Sequence, residues 1–205
     1  MKLLLSGFEP FDGSAINPSE QVILRLEHYS LPGVELVRVV LPVDAARGPA
    51  ALIEAFEENS PDVVLSLGEA SGRSALSVER IAVNLMDFRI PDNSGASVVD
   101  QPIIPGGPAA FFSTLPIRLI VDRLREAGIP AELSLSAGAY LCNQVFYTML
   151  HHLASRKLSI PAGFIHLPRL PAQVSTQKSS VPSMSLETSL AGVQRTIEVI
   201  AAQRL

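Results

Sequence analysis

Apolar residues in this chain follow two alternating rhythms, short unbroken runs and longer segments in which they recur three and four positions apart. The runs Lys2 to Ser6, Val34 to Val40, Val63 to Leu67, Ala131 to Leu135 and Gly163 to Pro168 read as short buried strands. Between and after them, Ser19 to His28, Ala45 to Asn59, Ser113 to Ala127, Tyr140 to Leu150 and Leu186 to Gln203 keep helical spacing. The punctuation agrees: Asn17-Pro18 opens the first helix, Gly128 and Pro130 close the third, and Ser183 or Ser185 caps the last.

Strand and helix alternate with connections long enough for crossovers, so the strands are expected to be largely parallel and covered on both faces. The fold class is α/β, a three-layer α/β/α sandwich with a mostly parallel twisted central sheet, a single domain over residues 1–205. In such sheets ligands collect at the carboxyl ends of strands, which is where Gly7 to Gly13 and Gly68 to Gly72 fall. Two stretches break the rhythm. Asn84 to Pro108 holds four prolines and three glycines, a loop long enough to be functional or disordered. Ser175 to Ser183 is serine-rich and reads as mobile.

Composition narrows the partners. A net charge of −4 from 16 basic and 20 acidic residues, with no long basic run, excludes nucleic acid as the expected partner. No window approaches a transmembrane span, and the apolar run after Met1 is too short for a signal peptide, so the cytoplasm is the default and no membrane is expected. One cysteine forms no intramolecular disulfide, and the scattered histidines offer no tetrahedral metal spacing, so no metal is expected.

That cysteine, Cys142, follows the small residues Ser136, Ala137 and Gly138 and falls in or near the first turn of a helix. Unpaired N–H groups and the positive end of the dipole there favour a thiolate, so the thiol is expected to ionise more readily than free cysteine. A lone cysteine is also commonly a small buried hydrophobe; a base and an orienting group would decide for a nucleophile. His28 ends a surface helix and His151-His152 lie more than two turns from Cys142, which leaves His166, on a strand expected to neighbour the one before Cys142. Glu79, in the alternating segment Leu76 to Val83, is either the group that orients the imidazole or half of an ion pair with Arg80 or Arg89. Phe8 and Phe11 form an apolar slot with Asn17 at its edge, or anchor their loop to the core; the surrounding glycines lack the spacing of a phosphate loop.

Five segments in order carry a resemblance: Ser6-Gly7-Phe8-Glu9-Pro10-Phe11 with Asn17-Pro18; Gly72-Arg73-Ser74 through Ser77-Val78-Glu79-Arg80-Ile81-Ala82-Val83-Asn84; Arg89-Ile90-Pro91-Asp92-Asn93; Ser136-Ala137-Gly138 with Leu141-Cys142-Asn143; and Gly163-Phe164-Ile165-His166-Leu167-Pro168. From end to end the chain resembles the pyroglutamyl peptidase type I family, also called pyrrolidone-carboxylate peptidases. The resemblance implies a cytoplasmic cysteine omega-peptidase, usually a homotetramer, that uses no cofactor and removes N-terminal pyroglutamyl residues from peptides. It implies a triad of Cys142, His166 and Glu79; Arg89 is either a further oxyanion donor or, beside Asp87 and Asp92, a brace for its loop. For the substrate ring it implies Phe8 and Phe11 as a sandwich, Val43, Ile90, Tyr140 and Leu141 as lining, and Asn17 and the Gly68 backbone at the lactam. Glu69 stands where relatives commonly carry Leu or Gln, a departure at the pocket.

Overall fold

The computed structural model describes residues 1–177 and 180–203, so part of the serine-rich stretch, residues 178 and 179, lies outside the described residues. The strands are β1 (Lys2–Phe8), β2 (Glu35–Leu41), β3 (Val63–Glu69), β4 (Leu76–Glu79), β5 (Ile81–Val83), β6 (Ala110–Phe112), β7 (Ala131–Ser134) and β8 (Ala162–Leu167). The helices are α1 (Pro18–Arg25), α2 (Arg47–Asn59), α3 (Ile117–Glu126), α4 (Leu141–Ser155), α5 (Pro171–Val174) and α6 (Leu186–Ala202). Six strands form the central sheet in the order β2-β1-β3-β8-β4-β7, and β5 with β6 makes a separate antiparallel pair. Every pairing in the large sheet is parallel except β4 with β8.

Both faces of the sheet are covered, which is why β3 is buried along its whole length. On one face Leu4, Val64 and Phe164 pack with Leu52 and Phe56 of α2 and Val145 and Phe146 of α4. On the other, Leu3, Leu65 and Ile165 pack with Val22 of α1, Ile120 and Leu124 of α3, and Val193 and Ile197 of α6. The alternation of side chains along each strand feeds these two cores separately. The sandwich expected from the sequence is therefore the observed fold. Asn17 caps α1 by accepting from Ser19 N, and Ser185 caps α6 by accepting from Thr188 N.

Two expectations are corrected, at the neighbours of β8 and at the start of the third helix. The strand carrying His166, β8, does not neighbour β7, the strand before Cys142; β4 is inserted between them, antiparallel to one and parallel to the other. The alternating segment Leu76 to Val83 divides into β4 and β5 at Arg80, whose N–H donates to Ser134 O while its carbonyl accepts from Ser113 N, so the chain changes sheets there. The third helix begins at Ile117 instead of Ser113, because Ala110–Phe112 pairs with β5 and Thr114 N–H bonds Ala162 O across to β8.

Candidate active site

The carboxyl ends of β1, β3 and β8 meet the start of α4 around a cavity of about 540 Å³. Cys142 and His166 both line it. His166 comes from the penultimate position of β8, where it is the Cα partner of Gly68 on β3 and of Ser77 on β4. Glu79 lies two residues beyond Ser77 on the same face, a diagonal neighbour, and its Oε1 meets His166 Nδ1 at 2.7 Å. Because a carboxylate only accepts, Nδ1 carries the proton and Nε2 is the basic nitrogen. Glu79 is fully buried behind the imidazole, and His166 is 4% exposed.

Gly138, at φ +77°, turns the chain into α4, with Tyr140 extended at the cap. Gln144 N–H is the first to close on the helix, to Tyr140 O, so the amides of Leu141, Cys142 and Asn143 precede the ladder. The sulfur packs on β3: a Cβ added to Gly68 would stand 2.7 Å from Cys142 Sγ. Glycine at 68 thus keeps open the space that sulfur occupies.

The thiol is not activated as the helix start led us to expect. Burial, then the carboxylates of Glu79 and Glu69, push it up to about 12, against a smaller opposing effect of the Arg73 guanidinium. Dipole and first-turn amides are outweighed by desolvation and by two nearby negative charges. In the resting site the sulfur keeps its proton.

Phe8, Phe11, Asn17, Val43, Arg89, Ile90, Tyr140 and Leu141 all line the same cavity. Tyr140 is set by the ring of Phe88, 4.8 Å away and edge-on, and by its hydroxyl donating to Pro91 O; burial, then Asp92, raise it to about 12. Asn17 is 1% exposed, its Oδ1 accepting from Ser19 N and its Nδ2 donating to Glu9 O. The long loop is ordered because its carboxylates and amides are tied down. Asp92 accepts from the N–H groups of Ala45, Ser94 and Ala96, and Asn93 Nδ2 donates to Glu9 Oε1 and to Pro10 O. These bonds hold the wall that carries Arg89 and Ile90 against the loop that carries Phe11. Arg89 is exposed and makes no ion pair among the described residues, so it does not brace Asp87 or Asp92.

With this geometry in view, the comparison with known proteins is direct. The model of the family described as pyroglutamyl peptidase matches residues 1–203. The chain belongs to that family. A pyrrolidone-carboxylate peptidase of Vibrio vulnificus is 49% identical over 193 residues, covering 94% of this chain and 89% of that one. One from Pyrococcus furiosus is 46% identical over 208 residues, covering all of both. The solved structure of a mutant pyrrolidone carboxyl peptidase from Pyrococcus furiosus superposes with a TM-score of 0.95 at 46% identity, again over 100% of both chains.

This pyroglutamyl peptidase family member also shows what sequence reasoning missed at its site. The cation on Glu79 is neither Arg80 nor Arg89 but Arg73, whose Nη1 lies 2.7 Å from Glu79 Oε1. The departure at Glu69 has a partner of its own: Arg169 Nε and Gln173 Nε2 each donate to its carboxylate at 2.8 Å. Glu69 and Arg169 are a hundred positions apart, so only the β3 and β8 pairing brings them together. The described residues contain no cluster of three or more metal-ligating side chains, and none of their helices is long and apolar enough to cross a membrane.

Proposed function

We propose that this protein removes N-terminal pyroglutamyl residues from peptides through a thioester on Cys142, with His166 as base and acid and Glu79 orienting the imidazole. The observation that carries this reading is the buried 2.7 Å hydrogen bond from His166 Nδ1 to Glu79 Oε1, set on the wall of the cavity that Cys142 also lines. It fixes the tautomer that a neighbouring thiol requires.

Because the resting thiol is protonated, the proton passes to His166 Nε2 as sulfur attacks the pyroglutamyl carbonyl. In this reading the first-turn amides of α4, and the guanidinium of Arg89 on the cavity wall, stabilise the oxygen on which charge develops. The imidazolium returns the proton to the departing amine as the C–N bond breaks, leaving the thioester. Water then gives its proton to the neutral imidazole and attacks the thioester, and the sulfur leaves and is reprotonated. No cofactor enters the sequence.

The ring of the substrate is flat, uncharged and carries one donor and one acceptor, which suits a mostly apolar slot with few polar groups. Phe8, Phe11, Val43, Ile90, Tyr140 and Leu141 supply the slot, with Asn17 beside it. Gly68, past the last pairing of β1 with β3 and paired with His166 of β8, is not itself among the residues that line the cavity, and the reading gives its backbone the lactam at the cavity's edge.

The test is turnover of pyroglutamyl-7-amido-4-methylcoumarin beside its prolyl and glutamyl analogues. The reading predicts release of the fluorophore from the pyroglutamyl amide alone, reduced about 10³-fold or more in a folded Cys142→Ala variant. Equal turnover of the three amides, or full activity in the variant, contradicts it. The reading includes a cytoplasmic homotetramer, for which the exposed Phe112 and Leu135 supply apolar surface; light scattering reports the assembly.

A further inference from the structure

Glu79 is held in an unusual way for a fully buried carboxylate. Its Oε1 takes both the His166 ring and the Arg73 guanidinium, while Oε2 has no hydrogen-bond partner among the described residues. The second arm of the same guanidinium, Nη2, donates to Ser136 O at 2.9 Å, in the turn that leads to Cys142. Arg73 reaches both because Gly72, at φ +85°, folds the connection between β3 and β4 back over the end of β4. One planar fork therefore bridges the strand that carries Glu79 and the turn that delivers the nucleophile.

We infer that Arg73 is a positioning residue of the active site, holding the Glu79 carboxylate on His166 and locking that pair in register with the Cys142 turn. The inference rests on the triad assignment above. Without the guanidinium, a buried carboxylate with one imidazole and an orphan oxygen is under-partnered, free to rotate its oxygens or to swing the ring with it. Lysine keeps the charge but not the fork, so it holds one acceptor and releases the other.

The charge has a directional consequence. The groups nearest the imidazole are Glu79 from β4, Arg73 from the connection before it, Cys142 from α4, and Glu69 from β3 with its partner Arg169. Asp12, Asp87, Arg89 and Tyr140 also line the cavity. Removing Arg73 takes away a cation next to the His166–Glu79 pair and leaves the anion, so imidazolium is favoured and His166 titrates at higher pH.

The test compares Arg73→Gln and Arg73→Lys with the native protein by circular dichroism, by steady-state turnover of the pyroglutamyl amide, and by NMR titration of the His166 ring. The expected result is folded variants whose KM stays within about twofold while kcat falls about 10²-fold in Arg73→Gln and about 10-fold in Arg73→Lys. The His166 titration, and with it the acid limb of kcat/KM, moves to higher pH in Arg73→Gln and not in Arg73→Lys. An unchanged His166 titration in Arg73→Gln overturns the inference, as does a kcat loss that merely follows the folded fraction. If the native protein fails to turn over the amide while Arg73→Gln still shifts the His166 titration, the proposed function is defeated and the link from Arg73 through Glu79 to His166 stands.

Discussion

His166 points Nδ1 at Glu79 Oε1 across 2.7 Å, and no water reaches that carboxylate, which has zero exposure. A charge-assisted hydrogen bond in so dry a setting is stronger than at the surface and holds one tautomer. Glu79→Gln keeps the shape and removes the charge, and the amide offers its N–H as readily as its oxygen. The expected outcome is kcat lower by about 10²–10⁴ with KM little changed, measured on the pyroglutamyl amide.

Cys142 is the second test of the electrostatics. Its thiol is raised to about 12 by burial and by Glu79 and Glu69, so iodoacetamide alkylation of the free protein should keep rising with pH beyond the ordinary cysteine midpoint of about 8.5. Glu69→Gln removes one of the anions that favour the protonated form, so the alkylation midpoint should move to lower pH. A midpoint below that of free cysteine in the native protein would contradict this picture.

Gly68 is the steric test. A methyl group there meets Cys142 Sγ at 2.7 Å and Phe164 Cζ at 2.8 Å, in a strand held against β8 by its pairing with His166. Gly68→Ala should lose about 1–3 kcal/mol of stability by denaturant titration and displace the Cys142 sulfur enough to lower kcat more than 10-fold.

Asn93 is the positional test. It is exposed and far from the sulfur in sequence, yet its amide joins the Ile90 wall to the Phe11 loop through Glu9 and Pro10. Losing hydrogen bonds worth about 1 kcal/mol loosens the slot, so Asn93→Ala should raise KM about 5-fold and leave kcat near the native value. Steady-state kinetics separates the two constants.

Much of this architecture was legible in the chain because it is local. Periodicity placed β1, α2, β8 and α6, and Gly138 after a strand placed Cys142 at a helix start. Elimination among the histidines pointed to His166, and the resemblance to the family added Glu79, which the residues alone left open as an ion-pair partner; the structure joins the two by a hydrogen bond. What was not legible depends on which distant segments pair. The insertion of β4 between β8 and β7 follows from register across the sheet, and it is this insertion that brings Glu79 onto the His166 ring. The choice of Arg73 over Arg80 and Arg89 depends on a left-handed glycine folding a connection back. The raised thiol reflects Glu69 and Glu79 converging from separate strands, which no window around Cys142 contains.

The central claim is a covalent one, and trapping the acyl-enzyme tests it most directly. Native protein mixed with a pyroglutamyl amide, quenched in acid within the first turnover and digested for mass spectrometry, should show the pyroglutamyl group on the peptide that contains Cys142. Cys142→Ala should show neither adduct nor turnover. An adduct on any other residue, or turnover by Cys142→Ala at the native rate, would contradict the account.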